Sequence, residues 1–106
     1  MTINEFVDRV LCVPVTRIGY RFIVEAIELV LDTKEHKFYS RLAEIHNTTP
    51  RYLEKAMRDA KNLGLDYMSD EDKQAVFNKN VTLATNEYVL KAAEYYRRVY
   101  VNKEQR

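Results

Sequence analysis

Two glycines, Gly19 and Gly64, and two prolines, Pro14 and Pro50, are all that a chain of 106 residues has of either type. β-sandwiches and doubly wound sheets turn too often to be built from so few. The same scarcity excludes the glycine-rich loops that cradle nucleotide phosphates. The single cysteine, Cys12, has no internal partner for a disulfide, which points to a reducing, cytoplasmic setting. No apolar run approaches the ~20 residues of a membrane span. The opening MTINEFVDRV is acidic where a secretory leader is basic and then apolar. An excess of one charge is also missing: 17 Lys and Arg face 16 Asp and Glu, for a net charge of +1. Bulk charge therefore cannot hold this chain on nucleic acid.

What is present is 46% hydrophobic and 31% charged residues, enough to close one core in one domain over residues 1–106. The patterns predict an all-α fold of six helices. Thr2-Ile3-Asn4-Glu5 has capping-box spacing, with Ile3, Phe6, Val7, Val10 and Leu11 at helical period behind it. Val13-Pro14 is expected to stop that helix. A second helix is expected from about Tyr20 to Leu31, followed by a polar linker over 32–37. A short third covers Phe38 to Ile45. Thr49-Pro50 caps a fourth, expected to end at Gly64 in the left-handed conformation. Ser69 to Asp72 opens a fifth through Phe77, with acids set against the helix dipole. A connector over 78–84 leads to a last helix from Thr85-Asn86-Glu87 to about Val101, with 102–106 frayed.

The informative stretch runs from Leu42 to Leu53. Two helices joined by a turn of three or four residues make a helix-turn-helix, here over about residues 38–63. Such a turn needs a small residue at the crossing, which Ala43 supplies. It also needs a residue tolerant of the left-handed region, and Asn47 fits. Leu42, Leu53, Ala56, Met57 and Ala60 supply the inward face. Arg51, Glu54, Lys55 and Arg58 fall three and four apart on the other face. Residues 47–64 are also the only segment with a basic excess, four against two. Arg or Lys can donate to guanine and Glu can accept from cytosine, so this stripe suits base reading in a major groove. Thr48, Thr49 and Tyr52 at the turn suit phosphate contacts. An amphipathic helix with a solvated face and a Glu54–Arg58 pair accounts for the same pattern on composition alone.

The blocks GYRFIVEAIELVL, HNTTPRYLEKAMRDA and TNEYVLKAAE, in this order, resemble the C-terminal effector domain of the stage-zero sporulation protein A family of response regulators. The resemblance runs from about Val13 to Tyr96. Its most specific part is Asn47-Thr48-Thr49 with Glu54, Ala56 and Arg58. It implies a six-helix effector fold that binds promoter DNA, often as tandem copies, and that contacts the RNA polymerase sigma subunit. By position, Glu54, Lys55 and Arg58 match the family's base-reading residues, with Lys55 where arginine is usual. Asp59 stands where the family has histidine near DNA; an acid there repels phosphate, so affinity or target is expected to depart from the family's short box around TGTCGAA. Family members carry a phosphoacceptor receiver domain ahead of the effector. This sequence starts directly with the helical region, so control through a receiver is not expected. The opening capping box fits a stand-alone bacterial or phage-encoded regulator.

Other chemistry is poorly served. His36, His46 and Cys12 have no metal-ligand spacing, so no metal is expected. His46 fits helix-end packing better than a phosphate contact, and Cys12 reads as a small core residue. Asp70, Glu71 and Asp72 lack any accompanying nucleophile or base, so no catalytic constellation and no cofactor are expected. On the last helix, Val89, Ala92, Ala93, Tyr96 and Val99 form an inward stripe. Tyr88, Tyr95, Arg97, Arg98 and Tyr100 are left over for the core edge or for a dimer or polymerase contact. The reading is a sequence-specific regulator of transcription that binds double-stranded DNA, with a homodimer and the sigma subunit as further partners. The alternative is a protein-interaction module that binds a host regulator or polymerase subunit without reading DNA.

Overall fold

The capping box at the start forms in full: the Thr2 hydroxyl accepts from the Glu5 N–H at 3.1 Å, and the Glu5 carboxylate accepts from the Thr2 N–H at 3.2 Å. The computed structural model describes residues 1–34, 37–78 and 83–101. The first helix, α1, opens as an α-helix over Ile3–Glu5 and loosens into π-helical turns over Phe6–Val10. The Leu11 N–H returns to the Phe6 carbonyl at 3.0 Å, the wider spacing of that helix type. Cys12, at φ 57°, ends α1 in the left-handed region before Pro14 is reached. That corrects two expectations. The stop lies ahead of the proline, and Cys12 is a half-buried turn residue rather than a core one.

The second helix, α2 (Ile18–Thr33), starts two residues earlier than the apolar stripe suggests, and Lys34 closes it at φ 57°. It packs against α1, against α3 (Phe38–Ile45), against α4 (Pro50–Tyr67) and against α6 (Thr85–Tyr96). The fifth helix, α5 (Asp70–Phe77), is capped by the Ser69 hydroxyl, ends at Asn78 with φ 56°, and rests on α6. No strand occurs among the described residues. The polar linker and the connector fall partly outside those residues; His36 and 102–106 fall wholly outside.

Buried apolar groups of four helices meet around α2: Phe6 and Val7 of α1, Ile23, Ala26 and Ile27 of α2 itself, Leu53 and Met57 of α4, Val89 and Ala92 of α6. Full burial of the larger of these side chains, Val, Leu, Ile, Phe and Met, is worth about 1.5–3 kcal/mol each. Helical period leaves Tyr88 over at the edge, but the residue is completely buried and stacks on Phe77 with ring centroids 4.9 Å apart. Beyond Tyr96, α6 widens into π-helical turns over Arg97–Val101, which bring Tyr100 against Phe6.

Gly64 does not end α4. The helix runs through it to Tyr67, with no positive φ at either glycine. A Cβ at Gly64 would lie 2.7 Å from the Leu11 carbonyl oxygen and 2.9 Å from a Val13 methyl. The residue is glycine because the end of α1 passes over it. Gly19 does the same for α2 and α4: a Cβ there would lie 2.1 Å from the Ala56 carbonyl oxygen.

Candidate nucleic-acid interface

The turn between α3 and α4 is built from backbone hydrogen bonds that the sequence specifies. Asn47 takes φ 52°, and its N–H reaches the Glu44 carbonyl at 3.3 Å. The Thr48 N–H reaches the Ala43 carbonyl at 2.9 Å. These two bonds make a Schellman closure of α3, satisfying carbonyls that the helix end leaves open. Thr49 then caps α4, its hydroxyl oxygen accepting from the Tyr52 N–H at 3.1 Å, and Pro50 takes the first helical position. A closed α3 end and a capped α4 start leave little slack in the angle between the two helices.

His46 lies on the inner side of this turn. Its Nε2 sits 2.9 Å from the Glu25 carboxylate of α2, and its ring meets the edge of Phe22 at 5.0 Å. It braces the turn against α2.

Leu53, Met57 and Ala60 of α4 face the core, while Ala56 is half-buried where Gly19 approaches. Arg51, Lys55 and Arg58 are exposed on the outward face, with Asp59 beside them. Tyr52 is exposed too, and its ring stands on the edge of Phe22. Of the turn residues, Thr49 is exposed and Thr48 half-buried. Glu54 departs from the free stripe that its spacing suggests. Its Oε1 accepts from Arg58 Nη1 at 2.9 Å, and its Oε2 accepts from the Thr85 hydroxyl of α6 at 2.9 Å.

Three features of this face have no local signal in the sequence. Thr16, Arg17 and Ile18, at the entry to α2, form the far wall of a groove of about 450 Å³ whose near wall is Tyr52, Lys55 and Asp59. Arg17 thereby adds a cation beside α4. Lys61 is buried, and its ammonium donates to the Leu83 carbonyl; burial pushes its pKa down. Tyr39, half-buried on α3, lies near Glu54 and Thr85. Burial chiefly, and then the Glu54 charge, push its phenol up to about 12, against a smaller opposing pull from a Thr85 hydrogen bond.

Among the described residues no three His, Cys, Asp or Glu side chains converge as a metal site, and no helix is long and apolar enough to cross a membrane. What the face offers is cations and hydrogen-bond donors on a rigidly started helix, equipment that suits nucleic-acid recognition.

Comparison with curated proteins and with solved structures gives no match. Comparison with protein families does: the model for the sporulation initiation factor Spo0A C terminal matches residues 5–94. That span runs from inside α1 to the last turn of α6. The chain therefore belongs to the Spo0A C-terminal family, a family of DNA-binding transcription-factor domains and not of enzymes.

Proposed function

We propose that the chain is a regulator of transcription that reads a specific sequence of double-stranded DNA, acting as one helical domain over residues 1–106. Its helix-turn-helix spans about 38–63, and the part of α4 up to residue 63 enters the major groove. The observation that carries this reading is the outward face of α4. Arg51, Lys55 and Arg58 stand exposed along it, on a helix whose start is fixed by the Asn47 turn and the Thr49 cap. Arg and Lys at such positions donate to guanine O6 and N7, and Glu54 accepts from a cytosine amine. Thr48, Thr49 and Tyr52 hold the flanking phosphates. A module of this size buries little surface. Tight binding therefore comes from a homodimer on paired half-sites about one helical turn apart, with the sigma subunit of RNA polymerase as the protein contact. Such a partner set places the protein in the cytoplasm.

The test is selection of bound duplexes from a random double-stranded library at near-physiological salt, run on the wild type and on Lys55→Ala/Arg58→Ala. The wild type should return one motif, arranged as two half-sites. The double variant should keep its helical circular dichroism and lose the motif. A folded wild type that returns nothing above background would sink the reading and favour a module that blocks a host regulator or polymerase subunit by direct contact. The exposed Asp59 on the same face is the feature that suits that second role.

A further inference from the structure

Threonine at the mouth of a helix ordinarily turns its hydroxyl oxygen onto the helix's own free N–H groups. Thr85 does not. The cap position of α6 is Ala84, which makes no side-chain bond, and Thr85 sits one residue inside, buried. Its hydroxyl is spent instead on Glu54 Oε2 at 2.9 Å, 31 residues away in sequence and on another helix. Glu54 Oε1 in turn holds Arg58 Nη1. An exposed Glu–Arg pair four residues apart is by itself only marginally favoured and poorly ordered, because two long side chains must be held in one geometry. Here one carboxylate oxygen is pinned from a buried, fixed point.

We propose that Thr85 is a positioning residue for DNA reading: its hydroxyl orients the Glu54 carboxylate, and through it the Arg58 guanidinium, toward the bases. The inference rests on α4 being the recognition helix. Two of the carboxylate's roughly four lone-pair sites and one of the five guanidinium donors are used internally, so both groups keep capacity for base edges. The surroundings support a fixed arrangement. Lys61, two turns along the same flank of α4, donates to the Leu83 carbonyl two residues before Thr85 and sets the spacing of the two helices. The Tyr39 phenol beside Glu54 stays neutral and adds no charge next to that carboxylate.

The experiment compares affinity for the selected duplex and for a scrambled duplex, by fluorescence anisotropy, across Thr85→Val, Thr85→Ala, Thr85→Ser and Arg58→Ala. Removing the hydroxyl, with Val or Ala, should lower the ratio of specific to non-specific affinity about fivefold, the low end of what one side chain–base pairing contributes. Non-specific affinity should hold. Preference should relax at those base pairs that also lose it in Arg58→Ala. Thr85→Ser, which restores the hydroxyl, should recover the wild-type ratio; a packing role alone would not be rescued this way. A folded Thr85→Val that keeps its ratio while Arg58→Ala loses it overturns the positioning role and leaves the recognition helix standing. If Arg58→Ala keeps its ratio as well, the base-reading assignment falls and takes this one with it. Should both hydroxyl-free variants lose their helicity, the Arg58 guanidinium resonances of the free wild type decide. Slow exchange with water supports the ordered pair, and rapid averaging overturns it.

Discussion

At Asn47 the backbone takes φ 52°, a region that costs most side chains roughly 1–2 kcal/mol and costs glycine nothing. Asparagine tolerates it better than other non-glycine residues, because its short amide can hydrogen-bond locally. Asn47→Gly should therefore leave the unfolding midpoint within a degree or two, while Asn47→Val should lose about 2 kcal/mol. The valine variant should also lose DNA affinity, since the Thr48 N–H bond to the Ala43 carbonyl sets how α4 leaves α3. Thermal unfolding followed by circular dichroism checks the first claim. Equal midpoints for the two variants would mean that the turn is not held in the left-handed region. Three other helix ends use the same conformation, at Cys12, Lys34 and Asn78, and none of them is glycine.

That distribution explains an error of expectation at the level of the helices. With only two glycines, sequence reasoning assigns Gly64 to the usual place, a left-handed helix end. The fold instead spends both glycines on close approach: Gly64 under the end of α1, Gly19 under α4. The identity and order of the six helices were legible, because caps, proline and apolar period are local signals. Where α4 ends was not, because it depends on what passes over Gly64, a contact made by residues fifty positions earlier. Glycine inside an exposed helix normally gains about 1 kcal/mol on replacement by alanine. Here the sign should reverse. Gly19→Ala would drive a methyl into backbone at Ala56 and should cost roughly 2–3 kcal/mol, lowering the midpoint by about 10 °C or more. Gly64→Ala, where the nearest backbone atom lies 2.7 Å from the added Cβ rather than 2.1 Å, should cost less. A Gly19→Ala protein as stable as the wild type would show that α2 and α4 do not cross this closely. Because α2 carries Arg17 to the groove beside Lys55, the same variant should weaken DNA binding along with stability.

Across the whole molecule, the candidate site was legible to the extent that it lies on one helix. The stripe Arg51, Glu54, Lys55 and Arg58 follows from spacing alone, while Arg17, Tyr39 and Thr85 reach it only through tertiary packing. The core shows the same limit. Helical period alone left Tyr88 at the edge of the last helix, but the packing of α5 buries it completely. Its hydroxyl has no partner among the described residues. Such a group costs about 1–3 kcal/mol, and a phenylalanine of the same shape removes the cost. Burial also raises its pKa well above the usual tyrosine value of 10, and Tyr39 shifts the same way, to about 12. For both, the folded protein keeps a proton that the unfolded chain releases above pH 10. Their contribution is fully present below pH 10 and is lost as pH climbs toward the folded values. Lys61 has the opposite sign: its folded pKa lies below 10.5, so its term improves with pH up to 10.5 and is then exhausted. Above that point the tyrosines govern, and stability should fall by about 1.4 kcal/mol per pH unit for a phenol as buried as Tyr88. Tyr88→Phe should therefore be more stable than the wild type at pH 7 by about 1 kcal/mol, and its alkaline decline should be shallower by one tyrosine's slope. Urea unfolding at a series of pH values from 7 to 12 measures both. A destabilised variant at neutral pH would mean that the hydroxyl has a partner in solution, and an unchanged alkaline slope would mean that Tyr88 titrates no later than a free phenol.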